Sequence, residues 1–248
     1  MALQDGWTTM IARSFGSGSP LPAGAMAPPV RVVDLDGLCD GWLATARATC
    51  EGRFRGAAHR GLDLAVALAL LLFTAPLMLL AALAIKLDSP GPVFYRQERV
   101  GHAGRVFRLY KLRSMRADAE AGGAPQWASK QDPRVTRVGR FLRLTRIDEL
   151  PQVLNVLRGD MALVGPRPER PAFVEELGRA IPRYHDRACV KPGITGWAQV
   201  NHPYGASVED ARAKLAYDLH YIQRRGLRLD LRILLATVRV VVFQQGAR

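Results

Sequence analysis

From residue 64 to residue 85 the chain reads LAVALALLLFTAPLMLLAALAI, without a charge and with Thr74 as its one polar side chain. As a continuous helix this run spans roughly 33 Å, enough to cross the hydrocarbon core of a bilayer. A stretch of this length and purity predicts membrane contact. A cleavable signal peptide fits poorly, because residue 64 is too deep in the sequence. Pro76 lies near the middle, where it removes one backbone hydrogen bond and crowds the preceding turn. Arg53, Arg55 and Arg60 precede the run, while Lys86, Arg96 and Arg99 follow it. Cations on both flanks conflict with the positive-inside rule for a crossing and agree with it for a return to the same face. The expected element is therefore a re-entrant helix over 58–88, broken at Pro76, each half (about 18 Å and 14 Å) reaching one leaflet deep.

Composition bounds the partners. The chain has 248 residues, is 48% hydrophobic and carries a formal charge of +13, which excludes a wholly disordered chain and predicts an anionic partner. Nucleic acid, anionic lipid and a phosphorylated substrate all qualify. Residues 91–146 hold 13 Lys/Arg against 4 Asp/Glu, so most of the surplus follows the apolar run directly. Arg134, Arg137, Arg140, Arg143 and Arg146 recur every three residues. On a helix that spacing drifts by about 60° per step, so only a subset can face one ligand. Cys39, Cys50 and Cys189 lack the paired spacing of a zinc knuckle and read as reduced thiols.

Three segments follow. Residues 1–57, rich in Gly, Ser, Pro and Ala over 14–29 and with only a weak helical pattern around Trp42, read as a flexible leader. Residues 58–88 form the expected membrane helix, and 89–248 a further domain. In the last, 93–100 and 105–112 alternate in character around Gly101-His-Ala-Gly104 and predict a β-hairpin. Apolar residues at helical spacing follow, and residues 231–243, with Arg232 and Arg239 on one face, predict an amphipathic helix lying on the membrane. The fold class is α+β and helix-rich.

Chemistry concentrates in Arg143-Leu-Thr-Arg-Ile-Asp148-Glu149-Leu-Pro151-Gln152, where adjacent carboxylates lie beside arginines and before a proline that opens a helix. Alone, this reads equally as first-turn acids complementing a helix dipole. Gly165-Pro-Arg167-Pro-Glu169 fixes an arginine between prolines, and rigid guanidinium forks suit phosphate oxygens. Lys111-Leu-Arg113-Ser-Met ends the second strand with two cations. Lys191-Pro-Gly-Ile-Thr-Gly-Trp197-Ala-Gln199-Val-Asn201 is a glycine-punctuated loop with an aromatic and two amides. Beside a membrane element, these together point to a phosphate-rich substrate at the bilayer.

KLRSM, DELPQ followed by Asn155, RGDMALVGPRPE and VKPGITGWAQVN, in this order, resemble the bacterial sugar transferase family, the monotopic phosphoglycosyl transferases. The resemblance runs from about Arg60 to the C-terminus. It implies transfer of a sugar 1-phosphate from a UDP-sugar to polyprenyl (undecaprenyl) phosphate with release of UMP, the first step of exopolysaccharide or glycan assembly. It implies a catalytic domain on the cytoplasmic face of the bacterial inner membrane, held against anionic lipid, and Mg²⁺ as cofactor. Residue by residue, it makes Asp148 the nucleophile and Glu149 its partner, both near the metal. Lys111, Arg113, Arg143, Arg167, Gln199 and Asp218 become phosphate or substrate residues. Relatives often carry Ser-Pro at the helix break; here it is Ala75-Pro76, with the hydroxyl displaced to Thr74. Where relatives commonly carry His before the VKPG loop, this chain has Arg187-Ala-Cys-Val190. Longer members carry several N-terminal transmembrane helices, and the resemblance is to the compact form. Two rival readings are a membrane-anchored nucleic-acid binder, which would need interleaved aromatics beyond Phe107 and Tyr110, and an inactive scaffold of a polysaccharide assembly complex. No nucleic acid is expected, and the sequence sets neither the sugar nor the oligomeric state.

Overall fold

The computed structural model describes residues 53–119, 132–202, 205 and 207–242. The leader up to residue 52, with Trp42, Cys39 and Cys50, lies outside the described residues, as do the side chains of Arg53 and Arg55.

The apolar run forms α1, Arg53–Asp88, a single 36-residue helix. It begins inside the segment assigned to the leader. Among the described residues it is the one helix long and apolar enough to cross a membrane. Helical hydrogen bonding continues through Pro76, so the expected break is not a gap in the helix. Proline still leaves the Leu72 carbonyl without its amide partner. The Thr74 hydroxyl donates to the Leu70 carbonyl at 2.6 Å, not to that one.

Both ends of α1 dock on the body, and its middle does not. Ala67 is buried at one end, Ala81 and Ile85 at the other, and no residue between 67 and 81 is buried. Leu72, Phe73 (87% exposed), Leu79 and Leu80 face outward. At the first end, the Arg60 guanidinium donates to the carbonyls of Val156 (2.6 Å) and Leu157 (3.0 Å), and Asp63 accepts from the Leu163 amide at 3.0 Å. At the second, Asp88 accepts from the Val138 amide at 3.2 Å.

The hairpin falls within a residue of its expected bounds: β1 (Phe94–Val100) and β2 (Val106–Leu112) pair antiparallel, Phe94 opposite Leu112 and Val100 opposite Val106. Helix α2 (Arg137–Leu144) is capped by the Thr136 hydroxyl, which accepts from the Gly139 amide at 2.9 Å. A Cβ on Gly139 would lie 2.0 Å from the Ser114 carbonyl, so glycine permits this helix to close on the segment after β2. The five regularly spaced arginines do diverge. Arg134 pairs with Asp132, Arg137 and Arg140 face outward beside exposed Phe141 and Leu144, and Arg143 turns inward.

A 3₁₀ segment, Ile147–Gln152, leads into α3 (Val153–Arg158) and β3 (Ala162–Val164). Helix α4 (Pro171–Ala180) and a 3₁₀ segment, Tyr184–Cys189, precede β4 (Gly193–Thr195). The VKPG motif is thus partly a strand, parallel to β3 with Ala162 opposite Gly193. A Cβ on Gly193 would lie 2.1 Å from the Gly165 amide nitrogen, which explains the glycine. Short α5 (Trp197–Asn201), α6 (Val208–Arg224) and α7 (Leu227–Val242) complete the chain. Helix α6 starts on a Ser207–Asp210 capping box. The larger core joins Ala67, Leu109, Val156, Met161, Leu219, Ile222 and Ile233; a smaller one joins Ala81, Ile85, Leu112 and Leu142. Helix α7 is core-facing at Ile233, yet exposes Leu231, Leu235 and Val238 next to Arg228, Arg232 and Arg239. It is amphipathic on its outer half as well as core-facing on its inner one.

Candidate active site

Asp148 and Glu149 lie in the 3₁₀ segment, ahead of α3. Pro151 therefore lies inside that segment and does not open the helix, and α3 is only six residues long. A helix dipole contributes little here; side-chain cations set the electrostatics. Arg146, at φ 59°, turns the chain out of α2 so that the segment runs against β2. Asn155, wholly buried, fixes that approach: its Nδ2 donates to the Arg108 carbonyl at 2.8 Å and its Oδ1 accepts from the Tyr110 amide at 3.1 Å. The next residue on β2 is Lys111, whose Nζ meets Glu149 Oε1 at 2.9 Å.

Arg167 reaches the same carboxylate from the proline-flanked turn after β3. Its Nη2 lies 2.5 Å from Glu149 Oε1 and its Nη1 3.3 Å from Oε2. Two other arginines grip the backbone that carries it. Arg187 Nη2 donates to the Arg167 carbonyl at 2.9 Å, and Arg99 Nη1 donates to the Pro168 carbonyl at 3.0 Å. Arg187 is itself held by Asp218 Oδ2 (2.7 Å from Nη2, 3.1 Å from Nε) and by the Tyr184 hydroxyl at 3.0 Å. Guanidinium forks on successive carbonyls fix the backbone more firmly than packing alone.

The neighbouring acids are driven apart. Burial alone would raise both. At Glu149 the charges of Arg167 and Lys111 outweigh it and hold the carboxyl well below its ordinary range. At Asp148, 5% exposed, burial wins against Lys111, is reinforced by the Glu149 charge, and lifts the pKa to about 6. The Asp148 carboxylate takes no hydrogen bond or ion pair among the described residues. One carboxylate is thus paired with two cations, and the other is desolvated and unengaged, as an oxygen nucleophile or base needs to be.

The other expected residues separate. Arg143 Nε donates to Ser114 Oγ at 3.0 Å, and its charge acts on Asp148. Asp218 stands one layer back, acting through Arg187. Arg113 is not brought to the site: its guanidinium donates to the carbonyls of Ile85 (3.3 Å), Ser89 (2.7 Å) and Pro90, closing the end of α1. Gln199 spends its Nε2 on the Ile194 carbonyl at 3.0 Å. Pro76 lies in the exposed, undocked middle of α1. Sequence reasoning gave no site role to Arg99, Arg187, Asn155 or Gln152; the first three bond to backbone, which leaves no charge pattern to find, and Gln152 is a neutral amide inside a motif read for its acids.

No cluster of three or more His, Cys, Asp or Glu suited to a metal occurs among the described residues. Mg²⁺ needs none, since it is commonly held by one or two carboxylates, water and substrate phosphates. Asp148 with its unengaged oxygens suits that role; Glu149, whose oxygens already take Lys111 and Arg167, suits it once a phosphate draws those cations away.

A buried carboxylate pair ringed by cations thus shares one body with a helix that exposes an apolar middle, the arrangement that a phosphate-bearing substrate at a membrane calls for. The bacterial sugar transferase family model matches residues 54–244, and the chain belongs to that family. It is 50% identical over 189 residues to a UDP-N-acetylgalactosamine-undecaprenyl-phosphate N-acetylgalactosaminephosphotransferase of Aeromonas hydrophila, covering 76% of this chain and 44% of that one. It is 50% identical over 181 residues to a UDP-glucose:undecaprenyl-phosphate glucose-1-phosphate transferase of Caulobacter vibrioides (72% and 67% covered). To the exopolysaccharide production protein PSS of Rhizobium leguminosarum bv. phaseoli it is 44% identical over 188 residues (72% and 92% covered). The chain spans less than half the length of the longer relatives it matches.

Proposed function

We propose that this protein transfers a hexose 1-phosphate from a UDP-sugar to polyprenyl (undecaprenyl) phosphate, releasing UMP, as the opening step of exopolysaccharide or glycan assembly. The observation that carries the reading is the divergence of the two acids: Glu149 is neutralised by Lys111 and Arg167, while Asp148 is desolvated and unengaged. In the first half-reaction an Asp148 oxygen attacks the sugar-bearing phosphorus. The bond from that phosphorus to the bridging oxygen breaks, and UMP leaves with the electron pair. In the second, an oxygen of polyprenyl phosphate attacks the same phosphorus and the Asp148–phosphorus bond breaks, restoring the carboxylate. Lys111, Arg143 and Arg167 hold the diphosphate oxygens as charge builds on them. Asp148 and Glu149 would hold Mg²⁺, which when bound screens the diphosphate charge.

The acceptor is a lipid, and the exposed apolar middle of α1 suits a helix that enters a bilayer and returns at Pro76 to the face it came from. Docking of both ends on the same body, with an exposed apolar centre between them, supports that geometry. The outer edges of α2 and α7, with arginines beside exposed Phe141, Leu144, Leu231 and Leu235, suit an anionic lipid surface at the cytoplasmic side of the inner membrane. The relatives named above support glucose and N-acetylgalactosamine as the donor sugars to try first. The test is a screen of UDP-sugars with polyprenyl phosphate and Mg²⁺, reading UMP. Release dependent on Asp148 upholds the reading; no release from any UDP-sugar sinks it.

A further inference from the structure

Arg99, Leu109, Lys111, Gln152, Arg167 and Pro168 line a narrow cleft beside the acid pair. All its charged walls are cationic. Gln152 enters it from the 3₁₀ segment, four residues past Asp148 and little more than one turn away. Gln152 is 2% exposed, and its Nε2 is enclosed without an acceptor among the described residues. Arg99 Nε, in the same cleft, is enclosed in the same way. Most other donors here are engaged: Lys111 Nζ and Arg167 Nη1 and Nη2 meet Glu149, Arg99 Nη1 meets Pro168 and Glu169, and Arg99 Nη2 meets Gln97.

A buried N–H with no acceptor is costly, and costlier where its neighbours are cations. Turned the other way, the amide would offer its oxygen to those cations. With the nitrogen inward, the arrangement is favourable only once an anionic oxygen lies between the donors. We infer that Gln152 Nε2, together with Arg99 Nε, donates to a non-bridging oxygen of the phosphoryl group that Asp148 receives. This rests on the transfer reading given above and adds to it a neutral, substrate-touching residue. Gln152 holds the sugar-bearing phosphate of the nucleotide, the one UDP has and UMP lacks.

The test uses the full chain in detergent with Gln152→Leu, Gln152→Glu and Gln152→Met. UMP release gives kcat and KM, calorimetry gives affinities for UDP and for UMP, and thermal midpoints monitor folding. Gln152→Leu is expected to keep the parental midpoint and lose about 30-fold in kcat/KM, chiefly in kcat. Gln152→Glu, an acceptor pointed at an acceptor, is expected to lose about 10³-fold. Both should weaken UDP about tenfold and leave UMP unchanged. If Gln152→Leu does not fold, Gln152→Met, equally long and without a donor, carries the same expectation. Parental turnover in Gln152→Glu would show that the amide oxygen faces the cations; full turnover in Gln152→Leu would make the residue a plain wall. Equal weakening of UDP and UMP would place the contact on the wrong phosphate. Any of the three overturns the inference. A parent that releases no UMP would instead count against the transfer reading, and the UDP and UMP affinities would still decide the anion contact.

Discussion

At the acid pair, Arg167 lays its fork across the Glu149 carboxylate and Lys111 closes on the same oxygen. At the two ends of α1, Arg60 and Arg113 lay the same kind of fork across backbone carbonyls. The first region faces a cleft and stores positive charge that a substrate can claim. The second faces helix ends, where last-turn carbonyls, some of them already accepting a backbone amide, take that charge permanently. A cation next to a motif is therefore no guide to its task; what it touches is.

Breaking that comparison at its strongest point means removing the nucleophile. Asp148→Asn is expected to lower UMP release by more than about 10³-fold while membrane binding persists. The same change should stabilise the fold. Burial raises the Asp148 pKa from its usual 3.8 to about 6, so its contribution is fully present below pH 4 and is lost as pH rises through 6. At pH 8 the asparagine variant should therefore be about 2–3 kcal/mol more stable than the parent, and at pH 3 no more stable. Denaturant melts at both pH values check this, and a variant less stable at pH 8 would contradict it. In the parent, kcat/KM should fall about tenfold per unit below pH 6 as the carboxylate protonates. A profile flat from pH 5 to 8 would mean that Asp148 does not need its charge.

Arg167→Lys keeps the charge and loses the fork, with an expected loss of about 10²-fold in kcat. Activity within threefold of the parent would show that charge alone suffices. Asp218→Asn acts one layer back, by loosening Arg187 and with it the Arg167 carbonyl. About tenfold lower kcat and a lower thermal midpoint are expected, and unchanged kinetics would detach this layer from the site. Arg113→Ala should have the smallest kinetic effect, under about threefold per folded molecule, yet cost about 2–4 kcal/mol of stability. If turnover collapses with the fold intact, Arg113 belongs to the first region after all.

The alternating strands and the apolar run were legible because periodicity survives folding. The acid pair and Arg167 lie in motifs that cluster unlike charges, whereas Lys111 lies in one with cations alone and meets Glu149 only through the fold. Arg113 misled because its targets, the carbonyls of Ile85, Ser89 and Pro90, carry no sequence signature. Arg99 and Arg187 were missed for the same reason, since each serves a carbonyl made by the chain 69 or 20 residues on or back. The helix expected to open at Pro151 starts instead at Val153, after a 3₁₀ turn, and Asn155 in that helix is bonded to the β2 backbone, a partner that no local pattern announces.

Arg60 and Asp63 tie one end of α1 to the chain just after the acid pair, and Asp88 ties the other end to α2, just before it. The long helix and the short reactive turn thus share a single frame of reference. Wherever the helix settles, Asp148 is carried at a fixed offset from it, as a blade is set by its handle.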